Sequence, residues 1–174
     1  WMRGPEEVAL YKVAYQTASL IPFGLMAVNT AIAPSLSQLG TSGDKSRMRR
    51  LVLLATGVSL TFALPFLFIF IGGGPWLIEW LFGKEFLPAA KPLIILTVAS
   101  LVQISTGPLW QMLLMTGYEK SVAFITAIGA GMYLVANALL VPLWGPQGAA
   151  VAMLTYFISI SGFIFLFVYI RKVI

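Results

Sequence analysis

Long apolar stretches separated by short polar segments form the dominant pattern along this chain. Each stretch could cross a bilayer, since a membrane-spanning helix needs roughly 20 mainly apolar residues. Short turns join the last three stretches, so we expect consecutive helices there to be antiparallel neighbours. The five stretches cover residues 8–39, 51–71, 92–115, 121–141 and 149–170. The pattern predicts an all-α, multi-span membrane helix bundle of about five transmembrane helices.

The segment 72–91 has a different pattern from the five spans. Trp76 and Trp80 recur at helical spacing, and charged residues such as Glu79 and Lys84 lie beside them. Tryptophan is enriched at the membrane–water interface, where amphipathic helices also lie. We therefore predict a short interfacial helix here. A phosphate-binding loop at Gly72–Gly74 is disfavoured, because no Lys-Ser/Thr pair follows the glycines.

The composition supports a membrane location and excludes several kinds of chemistry. The 174 residues are 59% hydrophobic and 10% charged, whereas a soluble domain usually carries about 25% charged residues. The chain contains no Cys and no His, which removes thiol nucleophiles, disulfides, His-based catalysis and the usual zinc ligands. We expect no metal, no cofactor and no enzymatic activity. The basic residues lie between apolar stretches rather than in one patch, so nucleic acid is not an expected partner.

Lys and Arg are unevenly divided between the two sides of the predicted bundle. One side receives Lys45, Arg47, Arg49, Arg50, Lys120, Arg171 and Lys172. The other side receives Arg3, Lys12, Lys84 and Lys91. Basic residues are enriched in cytoplasmic loops, so loop 40–50 and the C-terminus are predicted to be cytoplasmic. The cluster within that loop is assigned a topological role, with anionic lipid headgroups as a secondary partner.

The N-terminal side is then predicted to lie outside the cell. No basic region and no signal peptide precede the first span, which begins close to Trp1. We therefore expect further membrane helices upstream of this chain.

Small residues and prolines suggest how the helices pack. Ala123, Ala127 and Gly131 repeat every four residues, and Gly148 and Ala152 do so at the start of the last span. Small side chains on one face let helices approach closely, so both sets are expected to lie at helix contacts.

Pro108 and Asn137 are expected to be structural residues within the spans. A proline inside a helix frees a carbonyl and bends the helix. Gln111, just beyond Pro108, is placed to satisfy such a carbonyl. For Asn137 we predict a hydrogen bond between the last two helices. Such interhelical bonds are worth on the order of 0.6 kcal/mol.

Three stretches of the chain resemble a known family. EVALYKVAYQ from Glu7 is similar to the acidic turn and "Y-x-x-A" opening of the family's eighth helix. LFGKEF from Leu81, with AAKPL from Ala89, is similar to its "LFG-x-x-F…A" interfacial loop. NALLVPLWGPQGAA from Asn137 resembles its "N-x-x-L-I-P-x-x-G-x-x-G-A-A" stretch between the last two helices. The family is that of the polysaccharide flippases in the multidrug/oligosaccharidyl-lipid/polysaccharide exporter superfamily.

The resemblance implies a place in a larger transporter. The family has about twelve helices in two six-helix bundles, so residues 1–174 would supply helices eight to twelve of the second, C-terminal bundle. The first bundle would be a missing part of the same protein. Implied partners are a polyprenyl-pyrophosphate-linked oligosaccharide, membrane lipids and polysaccharide assembly proteins. The implied activity is flipping of that glycolipid across the plasma (inner) membrane during polysaccharide biosynthesis, as in lipopolysaccharide or exopolysaccharide export.

Polar residues of the first span are the candidate substrate-binding group. They are Lys12, Tyr15, Gln16 and Asn29. Buried polar groups in a span are expensive, and they often mark a transport pathway. Our hypothesis is that Lys12 attracts the pyrophosphate while Gln16 and Asn29 hydrogen-bond sugar hydroxyls. The alternative for Lys12 is snorkelling to the outer interface.

Two other functions remain open at this point. A cation-coupled multidrug antiporter of the same superfamily is the first, although no Asp or Glu lies deep within any predicted span. The second is an intramembrane enzyme, for which only Glu79 and Glu85 are suitably placed.

Overall fold

The computed structural model describes residues 4–171 and 173, and its regular structure over these residues is entirely helical. Six α-helices follow one another along the chain. They are α1 (Pro5–Ala18), α2 (Ile21–Ser42), α3 (Lys45–Phe82), α4 (Ala90–Met115), α5 (Glu119–Trp144) and α6 (Pro146–Arg171). A 3-10 helix, Lys84–Ala89, connects α3 to α4. The predicted all-α membrane bundle is confirmed.

Four helical segments are long and apolar enough to cross a membrane, and the bent pair α1–α2 would form a fifth span. The first predicted span, 8–39, is therefore two helices that meet at 44° rather than one. Pro22 explains the break, because it cannot donate to the carbonyl of Ala18 and its ring crowds that group. The hydroxyl of Ser19 donates to the carbonyl of Gln16 (2.6 Å), which satisfies one acceptor at the end of α1.

The second predicted span, 51–71, lies inside the longer helix α3, which continues through Gly72–Gly74 and Pro75 to Phe82. The shorter helix within the segment 72–91 is the 3-10 helix Lys84–Ala89, and Trp76 and Trp80 belong to the end of α3. A 38-residue helix is about 57 Å long, whereas the hydrocarbon core is about 30 Å thick. The final turns of α3 therefore extend beyond the hydrocarbon core of the membrane. There Trp76 and Trp80 stack with ring centroids 6.2 Å apart and are 67% and 71% exposed.

The other predicted spans lie inside longer helices. Helix α5 includes Pro142, which the apolar pattern leaves outside. The start of α3 is capped by Asp44, whose carboxylate accepts the backbone N–H of Arg47 at 3.0 Å. Gly43 has φ = 70° at the end of α2, a left-handed conformation that favours glycine. These caps fix the tight turn between α2 and α3.

Helix α4 is the central element of the bundle. It packs against α1, α2, α3 and α6, whereas α5 packs mainly on α6. Two apolar clusters fill the bundle. The cluster nearer the start of α4 includes Leu93 and Leu96, and the one nearer its end includes Met112 and Leu113. Pro108 is buried within α4.

Only one of the two predicted small-residue faces lies at a helix contact. Gly148 is buried, as is Ala152 four residues later, which confirms the prediction for α6. On α5 the prediction is wrong, because Ala123, Ala127 and Gly131 are exposed. The buried face of α5 instead includes Gly129. A Cβ added to Gly129 would lie 2.8 Å from Cγ1 of Ile160 on α6.

The predicted interhelical bond of Asn137 is also wrong. Its side-chain amide donates to the carbonyl of Tyr133 within α5, at 2.9 Å. The hydroxyls of Thr106 and Ser161 instead join α4 to α6, with their oxygens 2.9 Å apart. A hydroxyl can satisfy its own helix and a neighbour together. Thr106 does this, since it also contacts the carbonyl of Val102.

Candidate functional site

A groove of adjoining cavities lies between α1, α2, α4, α5 and α6, and we call it the central groove. Three of its cavities, with volumes of about 160, 220 and 490 Å3, share Gln103 as a lining residue. A fourth cavity of about 400 Å3 shares Tyr15 with the first. The polar residues that line the groove are Tyr11, Tyr15, Ser19, Asn29, Thr30, Ser100, Gln103, Thr106, Gln111, Tyr133 and Tyr156.

One stripe of α4 lines the groove. Leu96, Ser100, Gln103, Gly107 and Trp110 follow the three- and four-residue spacing that places side chains on one helix face. The absence of a side chain at Gly107 lets α2 approach this stripe. A Cβ at that position would lie 2.6 Å from a methyl carbon of Leu25. The stripe reaches the middle of the bundle, because Gln103 lies about 20 Å from either end of α4 at 1.5 Å per residue.

Asn29 contributes an unpaired acceptor to the groove. It lines two of the cavities beside Gln103. Its side-chain oxygen, Oδ1, is buried and makes no hydrogen bond within the described part of the chain. Leaving such an atom unsatisfied costs about 1–3 kcal/mol. A substrate hydroxyl or a water molecule in the groove would remove this cost.

The groove lining is polar but electrically neutral. Among the described residues, no Lys, Arg, Asp or Glu lines any of its four cavities. The available groups are amides, hydroxyls and phenols, which both donate and accept hydrogen bonds. Such a lining suits a neutral, hydroxyl-rich molecule better than it suits a phosphate, which is usually held by Arg, Lys or a helix N-terminus.

The predicted substrate-binding residues divide into two pairs. Tyr15 and Asn29 line the groove. Lys12 and Gln16 are exposed on other faces of α1 and are not among the lining residues of its four cavities. Gln103 is not among the predicted substrate-binding residues. Its spacing from Ser100 and Gly107 on one helix face was the signal for its role.

The residues predicted to set the membrane topology lie on the surface of the bundle. Lys45, Arg47, Arg49 and Arg50 are all exposed in the first turns of α3. Arg47 forms an ion pair with Asp44, at 3.2 Å on the surface. At the other end of α3, Lys84 lies 3.8 Å from Glu79.

A multi-span helix bundle with a polar groove at mid-depth has the architecture of a membrane transporter. The MatE family model matches residues 1–139, and the chain belongs to the MatE family. Members of this family are transporters rather than enzymes, and they belong to the exporter superfamily that the sequence resembles. Comparison with the curated proteins and with the solved structures finds no match.

Proposed function

We propose that the protein flips a polyprenyl-pyrophosphate-linked oligosaccharide across the plasma membrane for polysaccharide biosynthesis. The neutral hydrogen-bonding lining of the central groove carries this proposal. Sugar hydroxyls are neutral donors and acceptors, and they match the amides of Asn29 and Gln103. Moving a glycan through hydrocarbon requires that these hydroxyls find partners, because unpaired polar groups are costly there.

A cation-coupled antiporter would be expected to place a carboxylate in its transport pathway. The acidic residues of the described chain lie at helix ends or in connections. They are Glu6, Glu7, Asp44, Glu79, Glu85 and Glu119. Their positions favour the flippase over the antiporter, and the experiment below separates the two.

We expect liposomes that contain the whole protein, including the first bundle that the family resemblance implies, to move a fluorescently labelled polyprenyl-pyrophosphate-linked oligosaccharide from the inner to the outer leaflet. Dithionite added outside would then quench nearly all of the label, whereas protein-free liposomes would keep the inner-leaflet fraction fluorescent. Absence of flipping, together with ethidium transport driven by a sodium or proton gradient, would establish the antiporter instead.

We also propose that the end of the bundle that carries residues 40–50 faces the cytoplasm. Among the described residues, Lys45, Arg47, Arg49, Arg50, Lys120 and Arg171 lie at that end. Arg3 and Lys172, which contribute to the sequence-based count, lie outside the described residues. Of the described basic residues outside this end, only Lys12, Lys84 and Lys91 remain, so the positive-inside rule favours this end as the cytoplasmic one.

The orientation can be tested by cysteine labelling, because this chain contains no native Cys. Ser46 and Gln147 are both exposed and lie at opposite ends of the bundle. In intact cells, a membrane-impermeant maleimide should label Gln147→Cys but not Ser46→Cys. Permeabilised cells should show labelling of both variants. Labelling of Ser46→Cys alone in intact cells would reverse the proposed orientation.

A further inference from the structure

We propose that the tyrosine-lined cavity of the central groove binds a sugar ring of the transported glycan by stacking. We call this cavity the tyrosine pocket. Four tyrosines define it, Tyr11 and Tyr15 of α1, Tyr133 of α5 and Tyr156 of α6. The inference rests on the proposed function, and it assigns the sugar-recognising groups of that function to specific residues.

The four rings form two contacting pairs along the pocket. Tyr11 and Tyr15 stack with centroids 6.1 Å apart and an interplanar angle of 23°. Tyr133 and Tyr156 meet edge to face, with centroids 5.6 Å apart. Tyr11 and Tyr133 line the same cavity, which places the α1 pair beside the α5–α6 pair. The pocket of about 400 Å3 is within the range of small-molecule sites.

The depth of the pocket separates it from an interfacial aromatic belt. Belt tyrosines lie at headgroup level, near the ends of the spans. Tyr133 and Tyr156 each lie about 15 Å from the nearest end of their helix at 1.5 Å per residue. These phenols are therefore at mid-depth, where their hydroxyls need partners other than headgroups.

The chemistry of tyrosine matches a pyranose ring. The face of an aromatic ring is electron-rich and attracts the positive edge of a neighbouring group, such as the axial C–H bonds of a sugar. The phenol hydroxyls can donate to and accept from the hydroxyls at the rim of the sugar. An organic cation could also bind an aromatic face, but among the described residues no carboxylate lines the pocket to offset its charge.

The pocket opens into the rest of the central groove. Tyr15 and Met153 also line the cavity that contains Ser19, Ser100 and Gln103. A glycan with one ring in the tyrosine pocket could therefore extend its next sugars toward Gln103. The pyrophosphate would lie elsewhere, because the groove lining is neutral.

The test uses the whole protein in liposomes with a fluorescent polyprenyl-pyrophosphate-linked oligosaccharide. We expect Tyr15→Leu to raise the KM of flipping about fivefold to tenfold and to change kcat less, since an aromatic contact contributes mainly to binding. Tyr15→Phe keeps the ring and should raise KM less than Tyr15→Leu. Tyr15 is 46% exposed, so the fold should tolerate both changes. Tyr169→Leu is the matched control, because Tyr169 is 81% exposed and lies outside the groove.

A second measurement does not depend on transport. The free oligosaccharide released from the same lipid should raise the unfolding temperature of the unsubstituted protein more than that of Tyr15→Leu or Tyr156→Leu. Flipping with an unchanged KM in both Leu variants would overturn the tyrosine pocket but not the proposed function. Absence of flipping by the unsubstituted protein would overturn both. If the Leu variants lost ethidium binding but kept sugar binding, the pocket would be a cation site and not a sugar site.

Discussion

Gln103→Trp is expected to reduce glycolipid flipping by about tenfold or more, equivalent to at least about 1.4 kcal/mol in the transport step. Gln103 is the residue at which three cavities of the central groove meet. An indole at this position would occupy the junction and would remove an amide that can both donate and accept hydrogen bonds. The glycan would then find the groove blocked at position 103 and would lose a hydrogen-bond partner there.

The controls for Gln103→Trp separate obstruction from misfolding. Val98→Trp places the same indole on an exposed face of α4, outside the groove, and should flip the glycolipid at the normal rate. Gln103→Asn keeps an amide in a smaller volume and should retain most of the activity. Flipping is measured by dithionite quenching in liposomes with equal amounts of folded protein. Equal activity of Gln103→Trp and Val98→Trp would show that the junction is not on the transport pathway.

Hydropathy predicted the long apolar helices because the bilayer imposes their length directly. A hydrocarbon core of about 30 Å requires a long apolar helix wherever the chain crosses. The position at which a helix breaks is harder to predict from the sequence. Pro22 ends α1, whereas Pro65 and Pro108 lie inside continuous helices. Membrane helices tolerate proline when neighbouring groups satisfy the freed carbonyl, and those groups come from tertiary contacts.

The residues that line the groove were harder to predict, because they depend on how each helix is rotated about its axis. Tyr15 lines the groove and Gln16 does not, although the two residues are adjacent. One residue along a helix turns the side chain by about 100°. The same uncertainty explains why the exposed Ala127 was placed at a helix contact in place of Gly129. Polar residues in a span indicate that the helix has a function. They do not indicate which neighbouring helix each polar side chain faces.

The family-like stretch from Asn137 illustrates what sequence and structure each contribute. The sequence identified its two glycines as part of a shared pattern and predicted a close helix contact at Gly148, but it gave no physical reason for Gly145. The structure gives one for each. Gly145 has φ = 54° in the turn between α5 and α6, which favours glycine. Gly148 packs against the backbone of α5 at Leu140 and has no room for a side chain.

Gly148→Ala is expected to destabilise the protein by about 2 kcal/mol, within the usual range for overpacking a close contact. A Cβ on Gly148 would collide with the carbonyl oxygen of Leu140 and would lie 3.0 Å from the backbone nitrogen of Val141. Backbone atoms cannot move aside as a flexible side chain can, so α6 would have to shift away from α5. The unfolding temperature of the purified protein in detergent measures this effect.

Gly131→Ala provides the matched comparison. Gly131 is a helical glycine of α5 with nothing within 4 Å of its ideal Cβ position. Alanine there should stabilise the protein by about 0.5–1 kcal/mol, because glycine loses more backbone entropy in a helix. The two Gly-to-Ala changes should therefore shift the free energy of unfolding in opposite directions.

Met153 and Tyr156 of α6 line the groove, so a shift of α6 in Gly148→Ala should also slow flipping. Unfolding temperatures that rise alike in both variants would show that α5 and α6 are not closely packed at Gly148.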